Sequence, residues 1–163
     1  DGLRGAVLQM MAHGCVVVGL FFAAEIIFRR LNTREISEMG GIRVQAPAFA
    51  SMFMILVFAS ISLPSTFNFI GEFTVLYALF QVNMWFAIIG GTTIILGAYY
   101  MLKLYQHSML GTTHKTIFKD VTFSEGLVMV SIIGVIMFFG LYPKPLTDLI
   151  TPSLETILLQ INH

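Results

Sequence analysis

Ile61-Ser62-Leu63-Pro64-Ser65-Thr66-Phe67-Asn68-Phe69-Ile70-Gly71-Glu72-Phe73 is the stretch on which the fold turns. Before it, Pro47 to Leu63 runs 17 residues without an ionisable group; after it, Phe69 to Phe80 is apolar except for Glu72. If Pro64 to Asn68 were a loop in water, the chain would cross a bilayer five times. If the interruption lies inside the membrane, the two pieces form one broken span and there are four crossings. Between Ile61 and Gly71 there is no Lys, Arg, Asp or Glu, which is unusual for a water-exposed loop. The two pieces total 29 residues. At 1.5 Å per residue they reach about 44 Å, enough for a bilayer with its headgroups.

Working outward, Ala6 to Phe28 is a first apolar span, holding only His13 and Glu25 as ionisable groups and closed by Arg29-Arg30. Trp85 to Leu102 is a third, closed by Lys103, and Gly126 to Leu141 a fourth, stopped by Tyr142-Pro143-Lys144-Pro145. Each approaches the roughly 20 apolar residues a spanning helix needs. With the second span broken, Arg29, Arg30, Arg34 and Arg43 share one side with Lys103, Lys115 and Lys119. Seven of the nine basic residues then face the cytoplasm, while the Gln81-Val82-Asn83 turn on the far side has no charge. Five crossings would divide those basic loops across the membrane, against the positive-inside bias.

Composition agrees. Hydrophobic residues make up 56% and charged residues 11%, whereas a soluble domain carries nearer 25% charged. Nine Lys and Arg balance nine Asp and Glu, so nothing suggests nucleic acid as a partner. The single cysteine, Cys15, reads as a small apolar side chain rather than a redox or metal ligand. The chain opens on Asp1 without an initiator Met or a signal-peptide layout, as expected of a piece of something longer. Asn32 to Gly41 reads as a short interfacial helix capped by Asn32. The tail, 152–162, reads as an amphipathic helix capped by Thr151 with Pro152 in its first turn, Leu154, Ile157, Leu158 and Ile161 sharing one face. The expected architecture is all-α: a polytopic membrane helix bundle of four transmembrane spans, the second discontinuous, plus short interfacial helices. It forms one domain, with spans near 6–28, 47–80 (broken at 64–68), 85–102 and 126–141.

Ionisable residues within lipid are costly and tend to be functional. Glu72 is the foremost candidate, read against the alternative that its carboxylate merely caps the second half-helix. His13 follows. Counted from the outer edge, it lies about 10 Å deep and Glu72 about 12 Å deep on a neighbouring span, a matched pair suited to passing protons. Lys103 is a weaker candidate, as proton donor or as interface anchor. Glu25 fits an i,i+4 pair with Arg29, and His107 and His114 belong to a solvated loop. Gly90, Gly91 and Gly97 have no basic neighbour for a phosphate and suit close helix packing.

The run Gln9-Met10-Met11-Ala12-His13-Gly14, then Thr33-Arg34, Gly40-Gly41, Leu63-Pro64 and Asn68-Phe69-Ile70-Gly71-Glu72-Phe73, resembles the antiporter-like membrane subunits of complex I. The Gly-Glu-Phe after the break is similar to the M-type branch of that family; sister branches carry Lys there. The resemblance implies the last third of such a subunit. It makes Glu72 the terminal proton-transfer carboxylate and puts His13 in the central polar chain, with no cofactor on this chain. Implied partners are the other membrane subunits, the lipid bilayer and protons, in a bacterial cytoplasmic membrane. A subunit of a sodium/proton antiporter or membrane-bound hydrogenase, or a purely structural membrane-arm subunit, are the rival readings.

Overall fold

A computed structural model describes residues 2–112 and 117–161, so the expectations placed on His114, Lys115 and Asn162 lie outside the described residues. The described residues form seven α-helices: α1 (Gly2–Leu31), α2 (Ile42–Gln45), α3 (Pro47–Ser60), α4 (Phe67–Val82), α5 (Met84–Met109), α6 (Phe123–Leu141) and α7 (Lys144–Ile161). By length and composition α1, α5 and α6 can each cross a membrane alone. At 14 and 16 residues, α3 and α4 are apolar but too short singly.

α1 buries Gly5, Leu8, Ala12, Val16, Gly19, Ala23 and Ile26, a three- and four-residue spacing that draws one stripe down the helix. That stripe packs on α3, α4 and α6. Its small members set the distances. A Cβ on Gly5 would stand 2.9 Å from the Val75 amide nitrogen, and one on Gly19 2.7 Å from a Leu56 methyl.

The break spans residues 61–66, three positions earlier than the sequence suggests, and Ser62 rather than Pro64 ends α3. Leu63 N–H donates to Phe58 O (3.1 Å) and Ser62 N–H to Ala59 O (3.3 Å). These are the two bonds of a helix-ending Schellman turn, with Ser62 at φ 56° in the position glycine usually takes. Pro64 then follows where it cannot be asked to continue the helix. Ser65 is also left-handed, at φ 84°. Two such non-glycine residues hold strain of order 1–3 kcal/mol each, sustained only because the surroundings fix them.

Both basic loops meet at one end. Gly41 N–H donates to Leu110 O (3.1 Å), and Phe118 N–H to the Gln45 side chain (2.6 Å). At the other end of α1, Gly2 packs on Ala78 near the end of α4. The α3–α4 pair therefore traverses the bundle as one interrupted element, as a four-span chain requires.

Asp120 holds the basic end together. Its carboxylate accepts from Ala48 N–H (3.0 Å) and Phe49 N–H (2.9 Å), capping α3, whose own flanking residue is Ala46 and has no acceptor. The Arg30 Nη2 donates to Asp120 O (3.1 Å) and to Glu125 Oε2 (2.6 Å), and its guanidinium lies 5.0 Å from the centre of the Phe118 ring. Glu125 in turn completes a capping box with Thr122 at the start of α6.

Two local expectations are corrected. Asn32 caps nothing: it sits at φ 53° just past α1, and only Ile36–Glu38 forms a single 3-10 turn before α2. α7 starts at Lys144, not Thr151, so Pro152 lies inside the helix. Pro145 in the first turn and the bonds from Leu146 and Thr147 N–H to Pro143 O nucleate it early. Burial of Thr147 and Leu154, with Leu146 and Ile150 half-buried, compensates the hydrogen bond that Pro152 cannot make.

A candidate proton-transfer site beside the broken helix

α1 and α4 run antiparallel in tight register: Gly2 meets Ala78, Gly5 meets Thr74 and Val75, and Gln9 meets Gly71. Each step forward on α1 is a step back on α4. Glu72 is therefore level with Leu8, and His13 with Phe67. The two groups are not at matched depth, as counting from the ends suggests, but five residues, or about 7–8 Å, apart along the helix axis. The count assumed both spans begin at the same plane, whereas α1 extends outward to Gly2.

Glu72 is the sixth residue of α4 and half-buried. The first turn of α4 contains no acid, so Glu72 is too far along to bond the free amides there. Among the described residues it has no hydrogen-bond or ion-pair partner. Capping therefore does not explain it. Gly71, read as a permissive backbone position, serves instead as the surface on which Gln9 rests: a Cβ there would meet the Gln9 backbone at 2.6 Å.

His13 is exposed among the described residues and lies four positions, one helical turn, beyond Gln9 on α1. Asn68 and Glu72 are likewise one turn apart on α4. At about 100° per residue, His13 is turned past Gln9 in the same rotational sense as Glu72 is past Gly71. In antiparallel right-handed helices those displacements fall on the same side of the seam. α6 closes the other side, where Phe139 packs on Phe67 at 5.6 Å and Ile132 approaches Gly19. Gln9, His13, Asn68 and Glu72 thus border one face.

Among the described residues, Ser62 Oγ in the break and Asn68 Oδ1 and Gln9 Oε1 along the α1–α4 seam are buried oxygens without a hydrogen-bond partner. The sequence reading used Gln9 and Asn68 only as marks of resemblance; their four-residue spacing from His13 and Glu72 was the signal available. Gly140 was missed as well. Its missing Cβ makes room for Ser65 O, Thr66 and the Phe67 amide nitrogen, so α6 backs the non-helical segment with bare backbone.

Lys103 does not join this group. It is exposed on α5, 13 residues (about 20 Å of helix) beyond Gly90, which packs on Leu76. Its carbonyl oxygen is 2.7 Å from His107 Nδ1. Glu25 pairs with Arg29 at 3.4 Å, both exposed, a contact of little energetic weight. Cys15 is free and half-buried against the core.

Residues 1–97 match the model of the NADH:quinone oxidoreductase/Mrp antiporter transmembrane family. The chain belongs to that family. Its curated relatives include NADH-quinone oxidoreductase subunit M of Rickettsia typhi, 41% identical over 162 residues, covering 98% of this chain and 33% of that protein. Subunit M of Rhodobacter capsulatus is 38% identical over 156 residues (94% and 30%), and that of Mycobacterium tuberculosis 35% over 165 residues (100% and 30%). Among solved structures, a chain of respiratory complex I from Thermus thermophilus with bound NADH superposes with a TM-score of 0.82 at 26% identity, covering 86% of this chain and 30% of that one. The chain spans about a third of the length of the curated relatives it matches.

Proposed function

We propose that this chain is part of a proton-translocating subunit in the membrane arm of a respiratory NADH:quinone oxidoreductase, seated in a bacterial cytoplasmic membrane. Electron transfer takes place elsewhere in the assembly, and this chain carries a stretch of the proton path coupled to it. Its partners are the neighbouring membrane subunits, the lipid and the translocated protons.

The observation that carries the proposal is Glu72. A carboxylate in an apolar helix beside a break, with no ion-pair partner or capping role among the described residues, is retained at a cost of about 2.5–3.5 kcal/mol on insertion scales. Transient protonation is a use that justifies it. Strained backbone at 61–66 is tolerated at membrane depth where it is buried in protein or lines a hydrated cavity. His13, on the same side of the seam and able to both accept and donate a proton, is the next group along the path. The remaining two-thirds of the subunit would close the open side of the face that they share.

The family description also names Mrp antiporters. The relatives at 35–41% identity over nearly the whole chain are oxidoreductase subunits, which favours the respiratory assembly. The test is Glu72→Gln in the assembled enzyme. Gln keeps shape and hydrogen-bonding capacity but cannot ionise, so coupled quinone reduction and proton pumping should fall together by roughly the 10²–10⁴-fold typical of a lost proton-transfer group. Glu72→Asp should retain more. Wild-type pumping by Glu72→Gln at normal assembly leaves only a structural role.

A further inference from the structure

We propose that the groove between α1 and α5 at the basic end is a phospholipid site, in which Arg34 holds the phosphate and one acyl chain lies along the groove. The site is a specific one, beyond the general contact of a membrane helix with lipid. It does not depend on the role given to Glu72.

The groove has a volume of about 600 Å³, and along α1 it runs from Phe28 to Val17. That length is about 16 Å of helix, close to half of the ~30 Å hydrocarbon core. Phe53 of α3 and Met101 of α5 form its buried floor, while Phe21 and Ala24 are exposed along its rim. It therefore has the depth of one leaflet and stops near the middle of α1. A spanning protein helix would need a groove over the full height of the bundle; a lipid tail needs only this much. An apolar slot at this depth does not stay empty, because its walls would forgo their packing contacts. The polar lining residues, Glu25, Thr33, Arg34 and Ser108, all lie toward the basic end. Three of them are engaged: Glu25 pairs with Arg29, the Thr33 hydroxyl donates to Glu38, and the Ser108 hydroxyl donates to Leu104 O. Arg34 is exposed and has no ion-pair partner among the described residues. Its guanidinium lies 4.7 Å from the centre of the Phe28 ring, which holds it at the mouth. A guanidinium so placed presents a fork of donors that matches phosphate geometry. Between residues 25 and 43, Glu25, Glu35 and Glu38 offset Arg29, Arg34 and Arg43, with Arg30 bound to Glu125. Recognition thus rests on the phosphate that every bilayer phospholipid carries, and a net negative head is not required.

The experiment places the assembled oxidoreductase in vesicles of phosphatidylethanolamine and phosphatidylglycerol. A trace of the phosphatidylglycerol carries a diazirine at the end of one acyl chain, and the labelled peptides are mapped after illumination. Label should concentrate on α1 around Val17 and Phe21. It should exceed that on Ile95, which is exposed near the middle of α5 outside the groove. Ala24→Trp, which fills the groove, should remove the excess and leave Ile95 labelled. Arg34→Gln should lower the excess about fivefold, the worth of one basic residue at a lipid headgroup, and Arg34→Lys should keep more of it. Diacylglycerol with the same diazirine lacks the phosphate and should label the wild-type groove only as weakly as the phospholipid labels Arg34→Gln. Equal labelling of Val17 and Ile95 in the wild type overturns the proposal, as does an excess that survives Ala24→Trp. An excess indifferent to both Arg34→Gln and the missing phosphate overturns it too. Should a variant not assemble, the wild type alone decides. There, a phospholipid excess about fivefold above that of diacylglycerol supports the site. Equality of the two probes, or density for a protein helix in the groove, refutes it.

Discussion

Gln9 rests directly on Gly71: the Gln9 amide nitrogen and Cα both stand 2.6 Å from the point where a Gly71 Cβ would lie. The contact is between backbones, so neither helix can yield by turning a side chain. It fixes the height of Glu72 relative to α1, because Glu72 is the next residue. A packing constraint and the position of the candidate proton group are thus the same contact.

Gly71→Ala should therefore push α4 off α1 and displace Glu72. Overpacking against fixed backbone costs about 1–3 kcal/mol or more. The expected outcome is a lower thermal midpoint of the detergent-solubilised assembly, together with reduced pumping per quinone reduced. Gly134→Ala is the control: nothing lies within 4 Å of a Cβ there, and it should change the midpoint little. Equal effects at both positions would refute the seam as described.

Gly140 poses the same question for the break. α6 presents bare backbone to Ser65, Thr66 and Phe67, so Gly140→Ala should force the left-handed Ser65 region away from α6. Because residues 61–66 are already strained, displacement should show as altered hydrogen exchange at those amides before α3 and α4 themselves loosen. An unchanged exchange pattern with normal assembly would mean that α6 does not support the break.

The Arg30–Glu125 bond links α1 to the start of α6, with side chains only 13% and 19% exposed. Removing Arg30 leaves the part-buried Glu125 carboxylate with only its Thr122 bonds, and removes the contacts to the Phe118 ring and the Asp120 carbonyl. Arg30→Ala should destabilise the assembly by about 3–5 kcal/mol, as for other largely buried pairs. In a double-mutant cycle with Glu125→Ala the losses should fall short of additive by about 0.5–3 kcal/mol. Strict additivity would show that the bond carries no coupling.

The spans were legible because apolar length and charge placement are composition-scale signals that packing seldom overrides. The break was legible from Pro64 but misplaced, since the decisive feature is a left-handed serine, and Ser62 advertises no positive φ as a glycine would. The Arg30–Asp120–Glu125 clasp was illegible because its members are 90 and 95 residues apart, and spacing carries no trace of such a contact. Asn32 offered a capping residue at the right place; α1 simply ran on and used it as a stop. In the candidate site, Glu72 and His13 stood out by charge. Gln9 and Asn68, neutral and common at packed seams, became visible only when the α1–α4 register set them between the other two.

Topology can be tested without any assumption about mechanism. Direct bonds tie the loop after α1 to the loop after α5: Gly41 to Leu110, and Gln45 to Phe118. The two basic segments therefore share one side whatever that side is called. The bias of Lys and Arg toward the cytoplasm would make it the inner one. Thr112 is exposed in the second of these loops, and Ser153 is exposed on α7, which follows the opposite end of α6. With Cys15 replaced by Ala, Thr112→Cys should resist a membrane-impermeant thiol reagent in intact cells and react after the membrane is opened. Ser153→Cys should react at once. Equal labelling of the two in intact cells would place both on one side, which a single crossing by α6 forbids. Labelling of Thr112→Cys alone would keep the four-span bundle but invert it, turning the open end of the Glu72 face toward the cytoplasm.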